Sequence, residues 1–214
     1  MTDKIKIRPA STRGIYNAGW IVSRRTFSNN SYYHPNYMNR GSLKVINDDV
    51  QQPGNKVAWH EHKNLDILGY LVAGELEHVD STGKVIRAKR GQIQHMWCGK
   101  SIWHTEASIG TEPARYLQLW ITPKKEHLDS KPYYECVDKD LAFGNVPVTL
   151  HQDTRVRAGI LSEPVSTENS YLYVVEGSCS VDGIALTEGD GADIVSGTVS
   201  PGLDSHIVLF ENIY

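Results

Sequence analysis

Two pairs of residues, each spaced i, i+2, restrict the architectures open to this 214-residue chain. The first is His60 and His62 in Trp59-His60-Glu61-His62; the second is His104 and Glu106 in Trp103-His104-Thr105-Glu106. On an extended strand that spacing puts both side chains on one face. Two such strands side by side converge three imidazoles and one carboxylate on a point, with Trp59 and Trp103 turned to the opposite face. Three neutral nitrogens and one anionic oxygen suit a divalent first-row ion such as iron, nickel, manganese, copper or zinc. The competing reading is a set of hydrogen-bonded histidines in a barrel mouth. Asp66 shares the parity of His60 and His62 and is expected to orient an imidazole rather than ligate.

The rest of the chain reads as β. Short apolar or alternating runs at residues 42–46, 67–72, 116–121, 171–175 and 206–210 are bounded by Gly, Pro, Asn or Asp. No amphipathic helix longer than about three turns stands out. Asp80-Ser81-Thr82-Gly83 and Val181-Asp182-Gly183 have the chemistry of hairpin turns. An all-β fold of sandwich or barrel type follows.

An internal echo divides the chain. Tyr70-Leu71-Val72-Ala73-Gly74 is matched by Tyr173-Val174-Val175-Glu176-Gly177, an offset of 103 residues, and each copy runs on through a hairpin to a further glycine, Gly91 or Gly189. Two tandem β modules are expected, residues 1–125 and 126–214, with the polar segment 124–140 as connector. At the same offset His60 and His62 fall on Glu163 and Val165, and the counterpart of His104 is Gly202. The metal site is therefore expected in the first module alone.

Composition closes other routes. A formal net charge of −3 implies no general attraction to nucleic acid or anionic membrane. The basic run Lys84, Arg87, Lys89, Arg90 reads as a solvated strand face. Three irregularly spaced cysteines, Cys98, Cys136 and Cys179, fit a reducing cytosol rather than a disulfide framework, and Cys98 reads as a buried, inert thiol. The start Met1-Thr2-Asp3-Lys4-Ile5-Lys6 lacks the apolar core of a signal peptide, and no run approaches membrane-spanning length. A cytoplasmic protein is expected. No Ser-His-Asp arrangement, phosphate-cradling loop or Cys-x-x-Cys is present. His78, before a turn, is expected at the surface, and the remaining histidines as surface or satisfied core residues.

Gly54-x5-His60-x-His62-x3-Asp66 and Gly91 followed by His104 resemble the two motifs of the cupin superfamily. More narrowly, the chain is similar to the pirins, which are two-barrel cupins. The likeness runs through Gly19-Trp20, Arg25-Thr26-Phe27, Tyr32-Tyr33-His34-Pro35 and Leu43-Lys44-Val45-Ile46-Asn47-Asp48-Asp49. It continues in Gly74-Glu75-Leu76-Glu77-His78-Val79-Asp80-Ser81, Gln94-x-Met96 and His104-Thr105-Glu106. The resemblance implies a bicupin of two jelly-roll barrels, with the metal ion, most often Fe(II), on His60, His62, His104 and Glu106. Family members are quercetin 2,3-dioxygenases, which open a flavonol ring with O2 and release carbon monoxide, or metal-dependent transcriptional co-regulators. The first implies a flavonol-like enol and O2 as partners, with Glu106 as general base; the second implies a protein partner. Lys63-Asn64, His95, Ser101-Ile102-Trp103 and a shortened second barrel depart from the usual pattern and leave the metal residues intact.

Overall fold

Runs rich in Val, Ile, Leu and Tyr, punctuated by turn residues, become strands. The computed structural model describes residues 4–214. Met1, Thr2 and Asp3, which open the segment read as lacking a signal-peptide core, lie outside them. The described residues form nineteen β-strands and two short 3-10 turns, at Ala10–Thr12 and Lys125–His127, and every ladder between the strands is antiparallel. No helix among them is long and apolar enough to cross a membrane. The all-β bicupin expectation holds.

The chain divides into two units, and the division is not a single cut. One unit holds Gly14–Lys139 and Pro147–Gln152; the other holds the described residues up to Arg13, Asp140–Val146 and Asp153–Tyr214. The segment read as a connector differs from expectation. It contains the strand Tyr133–Asp138, which pairs with Gln92–Trp97 and buries Tyr134, so it completes the first unit. Likewise, Ile5–Arg8 pairs with Gly191–Pro201 in the second unit, Ile5 opposite Ile194 and Arg8 opposite Gly191. A cut at residue 125 misses both because each strand pairs with a partner far away in sequence.

The first unit contains two sheets. Its seven-stranded sheet runs, in spatial order, Tyr133–Asp138, Gln92–Trp97, Asp66–Ala73, Ala114–Ile121, Leu43–Gln51, Ile21–Arg25, Gly14–Asn17. The four-stranded sheet runs Lys56–His62, Ile102–Ser108, Glu75–Asp80, Val85–Lys89. Leu65, Ile67, Met96, Cys98 and Ile102 form one apolar cluster, and Leu71, Leu76, Ala88 and Tyr116 another. In the second unit Leu172, Val174, Val181, Ile194, Ile207 and Leu209 form a single core. Burial of these side chains, at about 1.5–3 kcal/mol each, is the main force holding each unit together.

The echo has a conformational basis. Gly74 and Gly177 end the matched strands with φ of 72° and 71°, and Gly91 and Gly189 follow with 83° and 82°. A Cβ on Gly74 would lie 2.6 Å from the Pro113 carbonyl oxygen, and one on Gly177 would meet the Leu203 carbonyl oxygen. Only glycine supplies that backbone without a side chain. Gly74→Ala and Gly177→Ala should each cost more than the about 1–2 kcal/mol of the left-handed backbone alone, because backbone blocks the methyl group. Urea unfolding checks this; a midpoint unchanged from the parent would refute it. The Asp182-Gly183 turn is a two-residue hairpin with φ of 47° and 82°, closing Val181 opposite Ile184.

Candidate metal centre

The histidine pairs lie on adjacent antiparallel strands, His60 and His62 on Lys56–His62, His104 and Glu106 on Ile102–Ser108. His104 stands opposite His60, and Ile102 opposite His62. Ring centroids are 4.2 Å apart for His60 and His104, 4.8 Å for His60 and His62, and 5.1 Å for His62 and His104. One nitrogen from each ring lies within 4.8 Å of the other two. Trp59 and Trp103 are about half exposed, as their parity requires. The ladder shifts register between His104 and Glu106, placing Glu106 opposite Val57. Single ligand atoms of Glu106, His104 and His78 also lie within 4.8 Å of one another, so two clusters share His104.

The donor chemistry fits a divalent ion. His60 Nδ1 lies 2.9 Å from the Ala58 carbonyl oxygen. A carbonyl only accepts, so this nitrogen carries the proton and Nε2 of the neutral ring is bare. His62 Nε2 and His104 Nε2 are buried without a hydrogen-bond partner. Buried polar atoms are almost always paired, and a bound cation would satisfy both nitrogens. Burial pushes His62 down to about 4, aided by His60, and drives His104 down further, aided by His60, His78 and His62. Near neutrality these rings therefore hold the lone pairs a metal needs.

Glu106 is buried, and Oε2 accepts a hydrogen bond from Gln118 Nε2 at 3.1 Å; Gln118 Oε1 in turn accepts one from Trp120 Nε1 at 3.2 Å. Burial, then the charge of Asp49, pushes Glu106 up to about 8. Burial likewise raises Asp49 to about 7, against a lowering hydrogen bond from Ser23. Asp49 lines a cavity of about 260 Å³ that reaches His60 and His62, with Ser23, Arg25, Asn47 and Gln118 as its polar walls and Trp20 and Trp120 among its aromatic ones. That is just below the roughly 300–1,000 Å³ usual for small-molecule pockets.

Two expectations are corrected. Asp66 does not reach the cluster. Its carboxylate lies 2.9 Å from His95 Nε2, accepts from the His151 backbone N–H at 2.7 Å and lies 3.0 Å from His151 Nδ1. Strand parity does not survive from His62 to Asp66, because Asn64 turns the chain with a φ of 50° and Asp66 begins a strand of the other sheet. His78 is not at the surface but 1% exposed, stacked on Tyr134 at 3.7 Å between centroids. Its Nδ1 is 3.3 Å from His104 Nδ1, and its Nε2 is 3.3 Å from Asp80 Oδ2. The overlooked signal was a third i, i+2 pair, His78-x-Asp80, on the strand next to His104. Cys98 is buried as expected, with its thiol pushed well up by burial.

These groups give the metal-free protein a defined pH response. His62 and His78, each lowered to about 4, are protonated in the unfolded chain below about 6.5 but not in the folded one. Their contribution is complete above 6.5 and lost as pH falls toward 4. Glu106 and Asp49, raised to about 8 and about 7, keep protons in the folded state that the unfolded chain has released. They lower stability as pH rises toward 8. Below about 6.5 the histidines and the carboxylates oppose one another, and above it the carboxylates act alone, so stability should fall from pH 6.5 toward 8 by about 1.4 kcal/mol per pH unit for each retained proton. Urea midpoints at pH 5.5, 6.5 and 8 measure it; a midpoint highest at pH 8 would contradict it.

The family model described as Pirin matches residues 6–121. A protein of Escherichia coli named quercetin 2,3-dioxygenase is 32% identical over 230 residues, covering 97% of this chain and 98% of that one. A pirin-like protein of Caulobacter vibrioides is 29% identical, covering 95% and 97%. Among solved structures, the bacterial pirin YhhW of Escherichia coli in complex with nickel(II) superposes with a TM-score of 0.90 at 30% identity, covering 96% of this chain and 97% of that one. The family motif and the end-to-end likeness agree with the paired strands and their histidines: the chain belongs to the pirin family.

Proposed function

We propose that this protein is a metal-dependent dioxygenase of the quercetinase type, opening the ring of a flavonol-like enol with O2 and releasing carbon monoxide. The observation that carries the reading is the pair of orphaned, buried imidazole nitrogens of His62 and His104, together with a cavity with aromatic walls that reaches His60 and His62. His60, His62, His104 and Glu106 are the proposed ligands, all within Gly14–Lys139, and the other unit is proposed to hold none. Fe(II) is the proposed ion; nickel, manganese, copper and zinc match the same donors. The nickel-bound relative supports a divalent ion in this family.

When bound, the ion supplies Lewis acidity toward an enolic hydroxyl and a site at which O2 and the enolate meet. The chain's residues do the rest. Gln118, itself held by Trp120, fixes one oxygen of Glu106 and leaves the other to hold the ion and, once loosened from it, to accept the enolic proton. Its raised proton affinity suits a base working near neutrality. Trp20 and Trp120 offer flat apolar walls to an aromatic ring, while Asp49 and Asn47 offer acceptors to its hydroxyls.

The test is direct. Protein loaded anaerobically with Fe(II) is mixed with quercetin and then exposed to air, following the flavonol absorbance band and carbon monoxide. Loss of the band with one carbon monoxide per flavonol supports the reading. A metal-loaded protein inert with every one of the five ions refutes it and favours a non-enzymatic, metal-dependent regulator acting through a protein partner.

A further inference from the structure

We propose that His78 and Asp80 are positioning residues that hold His104 in the single tautomer able to ligate through Nε2. The proposal rests on the metal-centre reading for its purpose and on hydrogen-bond geometry for its substance. Three buried groups stand in line: Asp80 Oδ2, then His78 Nε2 at 3.3 Å, then His78 Nδ1 facing His104 Nδ1 at 3.3 Å. Asp80 is 3%, His78 1% and His104 2% exposed, so none exchanges these partners for solvent.

The protons follow from what each atom can do. The carboxylate of Asp80 only accepts, so His78 Nε2 carries a hydrogen toward it. A neutral His78 is then bare at Nδ1 and accepts. The ring across from it must donate, which puts the His104 hydrogen on Nδ1. His104 Nε2 is left bare, and it is this atom that is buried without a partner. The relay thus fixes the proton at the far side of the ring from the proposed ion, as outer partners of metal-ligating histidines commonly do.

Both outer groups are held in place. His78 stacks on Tyr134, at 11° between ring planes. Asp80 Oδ1 accepts from the Thr82 backbone N–H at 2.7 Å, from Thr82 Oγ1 at 2.5 Å and from the Lys84 backbone N–H at 3.4 Å. The Asp80-Ser81-Thr82-Gly83 hairpin is therefore more than a connection. Its tight turn pins the carboxylate from which the orientation of His104 descends. Strand register does the remaining work, setting Asp80 opposite His104 and His78 opposite Glu106.

A rival arrangement uses the same atoms. His78, His104 and Glu106 form a cluster of their own, in which His78 would be a ligand. That requires a bare nitrogen of His78 facing the ion instead of His104.

Nitrogen-15 NMR of the histidines in metal-free protein at neutral pH reads the tautomers directly. Expected are His104 protonated on Nδ1 and His78 protonated on Nε2; a His104 protonated on Nε2 overturns the proposal. His78→Phe keeps a ring against Tyr134 but cannot accept. It should release His104 into a mixture of tautomers and weaken Ni(II) binding by about 10–100-fold, read by competition with a chelator. His78→Gln, whose amide oxygen can accept from Nδ1–H, should recover most of that loss. X-ray absorption of the Ni(II) protein showing His78 as an additional imidazole ligand would also overturn it. If the parent binds no Ni(II) yet shows the two stated tautomers, the metal reading falls and the relay stands. Should His78→Phe fail to fold, the parent spectrum and Asp80→Ala, expected to free His78 to either tautomer, decide the matter.

Discussion

Glu106→Gln is expected to abolish most O2-dependent flavonol loss, by about 10²–10⁴-fold, even when the metal is fully loaded. The substitution keeps the side-chain length and one oxygen donor, and it removes the charge and the basic site. Two consequences separate. Loss of the anion weakens metal binding, which excess metal can overcome. Loss of the base cannot be overcome that way. Because Gln118 donates to Glu106 Oε2, the single carboxamide oxygen either keeps that hydrogen bond or faces the ion, and the metal content shows which. The measurement is single-turnover quercetin loss at saturating Fe(II), with iron content determined on the same sample. Full activity restored by excess metal would leave Glu106 as a ligand only.

His104→Ala should cost more than about 100-fold in metal affinity, beyond the range for losing an outer hydrogen-bond partner. It deletes one of the orphaned nitrogens and the ring shared by both clusters. The apolar clusters around Leu65 and Leu71 do not include it, so circular dichroism should still show a folded β protein. Asp66→Ala provides the contrast. Since Asp66 holds His95 and His151 instead of a ligand, metal binding should be nearly unchanged. Stability should fall by about 1–3 kcal/mol, the usual cost of leaving a buried hydrogen-bonding group unpaired. Metal content by elemental analysis and urea midpoints on both variants test the pair. Metal loss in Asp66→Ala with the His104 variant intact would reverse the assignment.

The sequence carried the site further than its surroundings. The i, i+2 spacing brought His60, His62 and His104 together because strand parity is local, and the glycines at 74 and 177 marked equivalent corners because left-handed backbone is local too. What failed was non-local or lay just past a turn. Asp66 lost its parity at Asn64, one left-handed residue in the reversal between sheets. The place of His78 before a hairpin suggests a surface residue, yet the strand beside it is Ile102–Ser108, whose His104 lies 26 residues downstream. Asp49 and Gln118 sit on paired strands of the other sheet, which no spacing relates to the histidines, so the acidic and amide walls of the cavity are not legible in the sequence.

The strand Ile5–Arg8 also has a bearing on synthesis. It leaves the ribosome 183 to 189 residues before its ladder partners at Gly191–Ile194. The strands of residues 14–139 are all available earlier and can pair as they emerge. The second unit must wait, with that strand unpaired until more than 180 further residues have emerged, a separation that slows folding. A deletion of Ile5–Arg8 therefore acts on the unit that holds residues 153–214, stripping a strand from a sheet built almost 200 residues later.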